Sequence, residues 1–228
     1  MSQPPEYRIK KLDVQHAPNM DHIVIIGKRA TGKSTLARDI VSTKYPNIPG
    51  VVVDPSNPNH PHPYASLVPS PIIHNESLNE EQEIIKCLLE RQKLALQKQL
   101  SDNAYDPRAY LVLDSCFYVP RWSQHPSMRK LLTNSRQLHT SIIITLQYPS
   151  RYENMDSADY VFMFKERSTS ERRRFFDYFG GIFPDYATFE SILDQCTSDP
   201  YSCLVISTHS TSTKLEDHVF WYKVDPNM

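Results

Sequence analysis

The 228-residue chain lacks the features that mark polycationic, disulfide-bonded and membrane-spanning proteins. Its formal net charge is −1, so any nucleic-acid contact needs a local patch rather than attraction over the whole surface. The four cysteines show no C-x-x-C spacing, which suits buried thiols in a reducing compartment. No apolar run approaches the roughly 18 to 20 residues of a membrane span, and residues 1–20 carry no apolar signal core. These absences predict a soluble, intracellular protein without a membrane span.

Glycine is also scarce, and two of the five glycines lie in a single eight-residue segment. That segment, Gly27-Lys28-Arg29-Ala30-Thr31-Gly32-Lys33-Ser34, fits the phosphate-binding pattern G-x-x-x-x-G-K-[ST]. An apolar stretch from Ile23 to Ile26 precedes it, and apolar residues at helical spacing follow it. At average residue usage the pattern would arise by chance less than about once in a hundred chains of this length. Strand, loop and helix therefore come in the order that a nucleotide site requires.

The chemistry of the loop explains its residue types. Backbone N–H groups at a helix N-terminus surround phosphate oxygens and favour negative charge. We expect Lys33 to reach the β and γ phosphates and to be exposed in the protein without nucleotide, and the Ser34 hydroxyl to hold Mg²⁺. The predicted nucleotide-binding residues are Gly27, Lys28, Arg29, Ala30, Thr31, Gly32, Lys33, Ser34 and Thr35.

Two polar residues that end apolar strands extend the predicted site. Asp114 closes the strand that begins at Tyr110, where a carboxylate would hold the hydration shell of Mg²⁺, although an Asp there can also cap a turn. Gln147 closes the strand that begins at Ser141, where it could sense the γ phosphate and orient water. The alternative for Gln147 is an ordinary strand-end glutamine bonded to a loop.

The alternation of apolar strands with amphipathic helices predicts the architecture. We expect an α/β fold, a P-loop NTPase (RecA/ASCE-like), with a mainly parallel sheet flanked by helices on both faces. The predicted domain spans residues 22–228, and residues 1–21 form an N-terminal arm or edge element. The proline-rich stretch from Pro55 to Pro63 is predicted to be a surface loop. The expected strands are 23–26, 51–54, 72–73, 110–114, 141–147, 160–164, 203–207 and 218–224, and the expected helices are 35–41, 80–100, 128–135, 170–179 and 187–196.

Motifs beyond the phosphate loop carry a more specific resemblance. Together with the loop, the chain resembles the DNA-packaging ATPases of large nucleocytoplasmic DNA viruses, of poxvirus and giant-virus type, in the FtsK–HerA branch of P-loop ATPases. The resemblance spans about residues 21 to 224. The motifs that carry it are Leu113-Asp114-Ser115-Cys116, Asn134-Ser135-Arg136, Thr145-Leu146-Gln147-Tyr148, Asp159-Tyr160-Val161-Phe162 and Lys214 to Tyr222.

The resemblance implies an ATPase with ATP and Mg²⁺ as cofactors, acting in a ring that translocates double-stranded DNA into a capsid. It implies a homo-oligomer, capsid or portal-site partners, and a location in the virion or at the assembly site in the host-cell cytoplasm. The expected catalytic residues are Lys33, Asp114, Gln147, Arg151 and Arg136. Because ring ATPases often complete each site with an arginine from a neighbouring subunit, Arg151, Arg136 and Arg121 are candidates for that role, expected to flank strand ends on the nucleotide side.

One departure from the family pattern concerns hydrolysis. The position after Asp114, where such ATPases usually carry a second acid that activates water, is Ser115. A serine hydroxyl without a partner base does not take a proton from water near neutral pH. Asp54, which ends a predicted strand, and then Glu76 are the candidate replacements; both could equally be ordinary loop acids. Two alternatives therefore stay open: an ATP-binding virion assembly protein with little or no hydrolysis, and a small-molecule P-loop kinase.

Overall fold

Nine strands form a single sheet in the computed structural model, which describes residues 7–18, 21–56, 61–76, 82–116, 122–148, 157–208 and 210–225. The order of the strands is β1-β9-β8-β7-β2-β6-β5-β3-β4. All neighbouring pairs are parallel except those that β8 makes with β7 and β9. The strands are β1 (Lys10–Lys11), β2 (His22–Ile26), β3 (Gly50–Val53), β4 (Ile72–His74), β5 (Ala109–Leu113), β6 (Thr140–Leu146), β7 (Tyr160–Phe164), β8 (Ser202–Ser207) and β9 (Val219–Lys223).

Within the described ranges, five α-helices connect the strands. They are α1 (Lys33–Lys44), α2 (Glu83–Ser101), α3 (Pro126–Asn134), α4 (Thr169–Phe179) and α5 (Tyr186–Cys196). The predicted helices and strands are found with shifts of a few residues at their ends, and the predicted α/β class with a mainly parallel sheet is confirmed. None of the helices within the described ranges is both long and apolar enough to cross a membrane.

Alternate residues of the central strands face two separate apolar layers, because side chains of a strand point to opposite faces in turn. In β2, Ile23 and Ile25 belong to the layer under α1, whereas Val24 and Ile26 belong to the layer under the other four helices. All four side chains are fully buried. A strand buried on both faces needs apolar residues at every position, which explains the continuous apolar runs in the sequence.

The segment before β2 packs on the sheet rather than standing apart from it. Lys10 and Lys11 pair in parallel with Phe220 and Trp221 at one edge. Leu12 and Val14 are buried in the layer under α1.

The direction of the strands defines two edges of the sheet. Strands β2, β3, β5, β6 and β7 all end at one edge, here called the carboxyl edge, and β8 begins there because it runs antiparallel to β7. The opposite edge, where the parallel strands begin, is the amino edge. Ligands of parallel α/β sheets bind beyond the carboxyl ends of the strands, so the phosphate loop after β2 lies on the edge where a nucleotide is expected.

Candidate nucleotide site

The phosphate loop is held against the end of the neighbouring strand and opens directly into α1. The Gly27 N–H donates to the Leu146 carbonyl at 3.0 Å, and the Thr31 hydroxyl donates to the Lys28 carbonyl at 2.8 Å. A Cβ on Gly27 would lie 2.8 Å from the Phe164 Cβ, so the close approach of the loop to β7 requires glycine. Gly32 has φ +101°, a conformation that also favours glycine.

The start of α1 leaves donors for an anion. Gly32 is the N-cap and provides no capping side chain, and the first backbone bond of the helix is donated by Leu36 to the Gly32 carbonyl at 2.8 Å. The N–H groups of the residues between these two therefore lack intrahelical acceptors, as at any helix N-terminus. Together with the positive end of the helix dipole, they form an anion site that fits a phosphate.

Lys33 is buried, so the expectation that it is exposed without nucleotide is wrong. Only 8% of the residue is exposed, and its Nζ donates to the Lys28 carbonyl at 2.8 Å. Burial lowers the pKa of the Lys33 ammonium, whereas the nearby Asp114 carboxylate raises it and so favours the charged form. The Lys33 ammonium therefore bonds back to its own loop. A bound phosphate oxygen would compete with the Lys28 carbonyl for this ammonium.

Asp114 is fully buried at the end of β5, and both of its carboxylate oxygens are held. The Thr145 hydroxyl donates to Oδ1 at 2.6 Å and the Tyr64 hydroxyl donates to Oδ2 at 2.8 Å. The Tyr64 oxygen also lies 3.4 Å from the Ser34 carbonyl oxygen, so it connects the carboxylate to the start of α1. Asp114 is thus an oriented carboxylate beside the loop, as the sequence predicts for a magnesium ligand.

Most of the predicted loop residues and Gln147 line one cavity of about 430 Å³ at the carboxyl edge. Gly27, Lys28, Thr31 and Asp114 are not among the residues that line it. Gln147, half-buried at the end of β6, lines the cavity together with the loop. Ser115 and Ser56 also line the cavity. The sequence motifs do not predict that either hydroxyl donates a hydrogen bond to the nucleotide. The loop contributes Arg29, Ala30, Gly32, Lys33, Ser34 and Thr35 to the lining.

Asp54 and Glu76, the two candidates for the acid that activates water, differ in their positions relative to the cavity. Asp54, at the end of β3, is buried, and its Oδ1 accepts bonds from the Ser56 hydroxyl at 2.6 Å and the Ser56 N–H at 3.1 Å. Since Ser56 lines the cavity, its hydroxyl connects the cavity to the Asp54 carboxylate. Burial raises the pKa of Asp54 above its usual value, against the opposing effect of the Ser56 hydrogen bond. Glu76 is exposed beyond the edge strand β4 and does not line the cavity.

The stretch from Pro55 to Pro63 was predicted to be a surface loop, and part of that prediction is wrong. His62 is buried, its Nδ1 accepts the Tyr64 N–H at 3.3 Å, and its Nε2 lies 3.4 Å from Asp54 Oδ2. A short 3₁₀ helix, Pro63–Ser66, then carries Tyr64 to Asp114. No periodic pattern in the sequence predicts this contact between Tyr64 and Asp114, which lie 50 positions apart. An aromatic residue inside a proline-rich stretch is only a weak signal.

Of the three candidate arginines, Arg136 lies among the described residues, and it is not at the cavity. Arg136 lies in the turn between α3 and β6, at the amino edge, where it pairs with Asp159 and approaches Asp21 at 3.7 Å. Its expected position on the nucleotide side is therefore wrong, because a connection from a helix into a parallel strand returns to the edge where strands begin. Arg151 and Arg121 lie outside the described residues.

The residues present fit both a nucleotide and a magnesium ion. The uncapped start of α1 and the buried ammonium suit phosphate. The Ser34 hydroxyl and the Asp114 carboxylate are oxygen ligands of the kind Mg²⁺ takes, and that ion commonly keeps several waters between itself and protein. The Tyr64 hydroxyl bond keeps the carboxylate beside Ser34. The chain thus has the fold of the P-loop NTPases.

Comparisons with known proteins agree with that class. No protein-family model matches the chain. The uncharacterized protein 075L of Invertebrate iridescent virus 6 is 30% identical over 98% of this chain and 88% of its own length. The uncharacterized protein L437 of Acanthamoeba polyphaga mimivirus is 28% identical over 96% of this chain and 78% of its own length. Among solved structures, the genome-packaging NTPase B204 of Sulfolobus turreted icosahedral virus 2 in complex with ATP-gammaS has a TM-score of 0.59 and 16% identity, covering 94% of this chain and all of that one.

The chain therefore belongs to the family of large-DNA-virus proteins that includes 075L. Its fold is that of the P-loop NTPases, like that of B204. The resemblance drawn from the sequence motifs is confirmed.

Proposed function

We propose that this chain is the ATPase subunit of a viral genome-packaging motor, which hydrolyses ATP with Mg²⁺ and translocates double-stranded DNA into a capsid. It acts as a homo-oligomeric ring with capsid or portal-site proteins, at the assembly site in the host-cell cytoplasm and in the virion. The observation that carries the proposal is the cavity that the phosphate loop shares with Gln147, with the buried Asp114 carboxylate linked to Ser34 through the Tyr64 hydroxyl. The solved neighbour named above, a genome-packaging NTPase that binds an ATP analogue, supports the packaging role.

Each residue has a chemical role in this proposal. The loop N–H groups bind the phosphate oxygens, and Lys33 exchanges its Lys28 carbonyl for them. Ser34 and Asp114 would hold Mg²⁺, which neutralises charge on the β and γ phosphates. Gln147, which lines the same cavity as the loop, orients the attacking water. An arginine from the neighbouring subunit, with Arg151 as first candidate and Arg136 disfavoured by its position, would stabilise the charge that develops on the γ phosphate.

Asp54 is the proposed acceptor of the water's proton. Its carboxylate bonds the Ser56 hydroxyl, which faces the cavity, so a proton can pass from water to Ser56 while Ser56 gives its own to Asp54. The raised pKa of the buried Asp54 makes it a stronger base than an exposed aspartate. Glu76, exposed beyond β4, is not retained for this role.

The test is ATP binding and ATPase activity with and without duplex DNA. Lys33→Ala should lower turnover on the order of 10²- to 10³-fold, because it removes a donor from the phosphates. Lys86→Ala is the matched control, since Lys86 is a partly exposed lysine on α2, away from the cavity, that pairs with Glu83 at 3.0 Å. Asp114→Ala should weaken Mg²⁺-dependent turnover more than nucleotide binding. Equal ATP affinity in Lys33→Ala and the parent would overturn the assignment of the loop.

The same assay separates a second candidate, an ATP-binding virion assembly protein with little or no hydrolysis. The observation that favours it is Ser115, which lines the cavity where a second acid is usual. Stimulation of ATPase activity by duplex DNA supports the motor, whereas tight ATP binding without turnover supports the assembly protein. Phosphorylation of a nucleoside would point instead to a kinase.

A further inference from the structure

The order of the strands fixes the direction in which a nucleotide lies on the loop. Asp114 and Gln147, which face the terminal phosphate in the proposed function, end β5 and β6 on one side of β2. Strands β7 and β8 lie on the other side of β2. A nucleotide whose phosphates follow the loop must therefore extend its sugar and base toward the ends of β7 and β8 at the carboxyl edge.

A second cavity lies on that side of the loop. It has a volume of about 370 Å³, and Ala30 of the loop lines both this cavity and the phosphate cavity. Phe164 and Arg167, which end and follow β7, form one wall, and Pro200 and Tyr201, which precede β8, form another. The two cavities meet at the phosphate loop, so one nucleotide can occupy both.

We propose that this second cavity is the nucleobase subsite, with Tyr201 as the aromatic surface on which the base of ATP stacks. The inference rests on the proposed function, since it concerns the same nucleotide. It identifies the residues that distinguish a nucleotide from bare phosphate.

Tyr201 is fixed in place for this role. Its ring packs on the loop, because a Cβ on Gly32 would lie 2.9 Å from the Tyr201 Cδ1. Its backbone has φ +62°, and its carbonyl accepts the Val224 N–H at 3.1 Å. The residue nevertheless keeps 39% of its surface exposed. One side of the ring is thus held by the protein while part of the side chain faces the cavity.

The other residues that line the second cavity suit a flat ligand with polar atoms along its edge. Arg167 is exposed and lines the cavity, where its guanidinium can donate to acceptor atoms of the ribose or base. Asp199 also lines it, but its carboxylate already pairs with Lys223 at 2.8 Å. Base–aromatic stacking tolerates different bases because every base has a π-face, so the tyrosine gives affinity for the base without reading its edge.

The experiment compares two ligands that share phosphates but not a base. ATP and inorganic tripolyphosphate are titrated against the full chain by calorimetry with Mg²⁺ present. Tyr201→Ala should lower the affinity for ATP on the order of ten-fold and leave the affinity for tripolyphosphate unchanged. Tyr201→Phe keeps the ring and should bind ATP like the parent. Tyr178→Ala, which removes another exposed tyrosine on α4, should change neither affinity.

The outcomes separate this inference from the proposed function. Equal weakening of both ligands in Tyr201→Ala, or no weakening of ATP, would overturn the subsite while leaving the phosphate loop intact. Binding of neither ligand to the parent would overturn the nucleotide site itself. If Tyr201→Ala does not fold, photolabelling of the parent with 8-azido-ATP decides: labelled peptides should contain residues 164–167 or 197–202, and labelling elsewhere contradicts the subsite.

Discussion

The hydroxyl of Tyr64 should be one of the most important single polar groups for the stability of the site. Tyr64 is fully buried, and its hydroxyl donates at 2.8 Å to the carboxylate of Asp114, which is itself fully buried. A hydrogen bond to a charged group contributes about 1.5–3 kcal/mol, and its loss leaves a buried carboxylate oxygen with one donor fewer. We therefore expect Tyr64→Phe to lower the free energy of unfolding by about 2 kcal/mol, or the melting temperature by roughly 4–8 °C for a domain of this size.

A second buried tyrosine provides the control. Tyr110 is 1% exposed, and no hydrogen-bond partner for its hydroxyl is found among the described residues. Burial raises the pKa of this phenol to about 12. Because an unpaired buried hydroxyl costs free energy, Tyr110→Phe should be neutral or stabilising.

Urea denaturation of the parent, Tyr64→Phe and Tyr110→Phe measures the difference directly, since the same atom is removed from both sites. In the background of Asp114→Asn, where the acceptor is no longer charged, Tyr64→Phe should cost only about 1 kcal/mol. Equal effects of the two tyrosine substitutions, or an effect of Tyr64→Phe that ignores the charge at position 114, would refute the reasoning.

Two further predictions concern turnover and pH. Ser115→Glu should raise basal ATPase activity on the order of ten-fold, because a second carboxylate would then face the cavity directly, and Asp54→Ala should abolish the activity of the parent. Activity that survives in Asp54→Ala would contradict the role of Asp54 as the base. Burial lowers the pKa of His22 from 6.5 to about 4, so the folded protein keeps this imidazole neutral while the unfolded chain protonates it below about pH 6.5. Stability from this group is therefore present above pH 6.5 and is lost progressively toward pH 4, by about 3 kcal/mol at most, and His22→Asn should show correspondingly less loss over that range in denaturant titrations.

Much of the fold could be predicted because the central strands are buried on both faces. The run Ile142, Ile143 and Ile144 has no polar position, which is typical of a parallel strand between two layers of helices. The phosphate loop could be predicted because its motif residues follow one another directly in the sequence and because Gly32 has a local cause, φ +101°. These signals lie within a few residues of one another.

The parts of the site that were missed depend on contacts between distant segments. Tyr64 reaches Asp114 across 50 positions, from a 3₁₀ turn with no helical or strand period. Thr145 faces Asp114 because β6 lies beside β5, which requires the strand order. The burial of Lys33 has a different cause, because its carbonyl partner lies in the same loop and the motif does not specify that bond. Spacing along the chain identifies a motif, whereas the contacts of Tyr64 and Thr145 with Asp114 depend on how the strands are arranged in the sheet.

The position of Arg136 at the amino edge follows from its place in the turn directly before β6. That position brings two of the family motifs into contact with each other. Asp159 accepts the N–H groups of Asp21 at 3.1 Å and His22 at 2.7 Å, and it also pairs with Arg136. The motif around Arg136 and the motif that begins at Asp159 thus meet at the amino edge, where they join the starts of β2 and β7.

That junction lies at the opposite end of β2 from the phosphate loop, so it acts on the nucleotide only by fixing the strand that carries the loop. Removal of Arg136 would leave the buried Asp159 carboxylate without its cation, which is expensive in a site only 3% exposed. Loss of ATPase activity in Arg136→Ala is therefore expected from a displaced or unfolded β2 alone. Only a variant whose unfolding free energy is unchanged, and whose activity is restored in mixed rings with Lys33→Ala subunits, would assign this arginine to a neighbour's nucleotide.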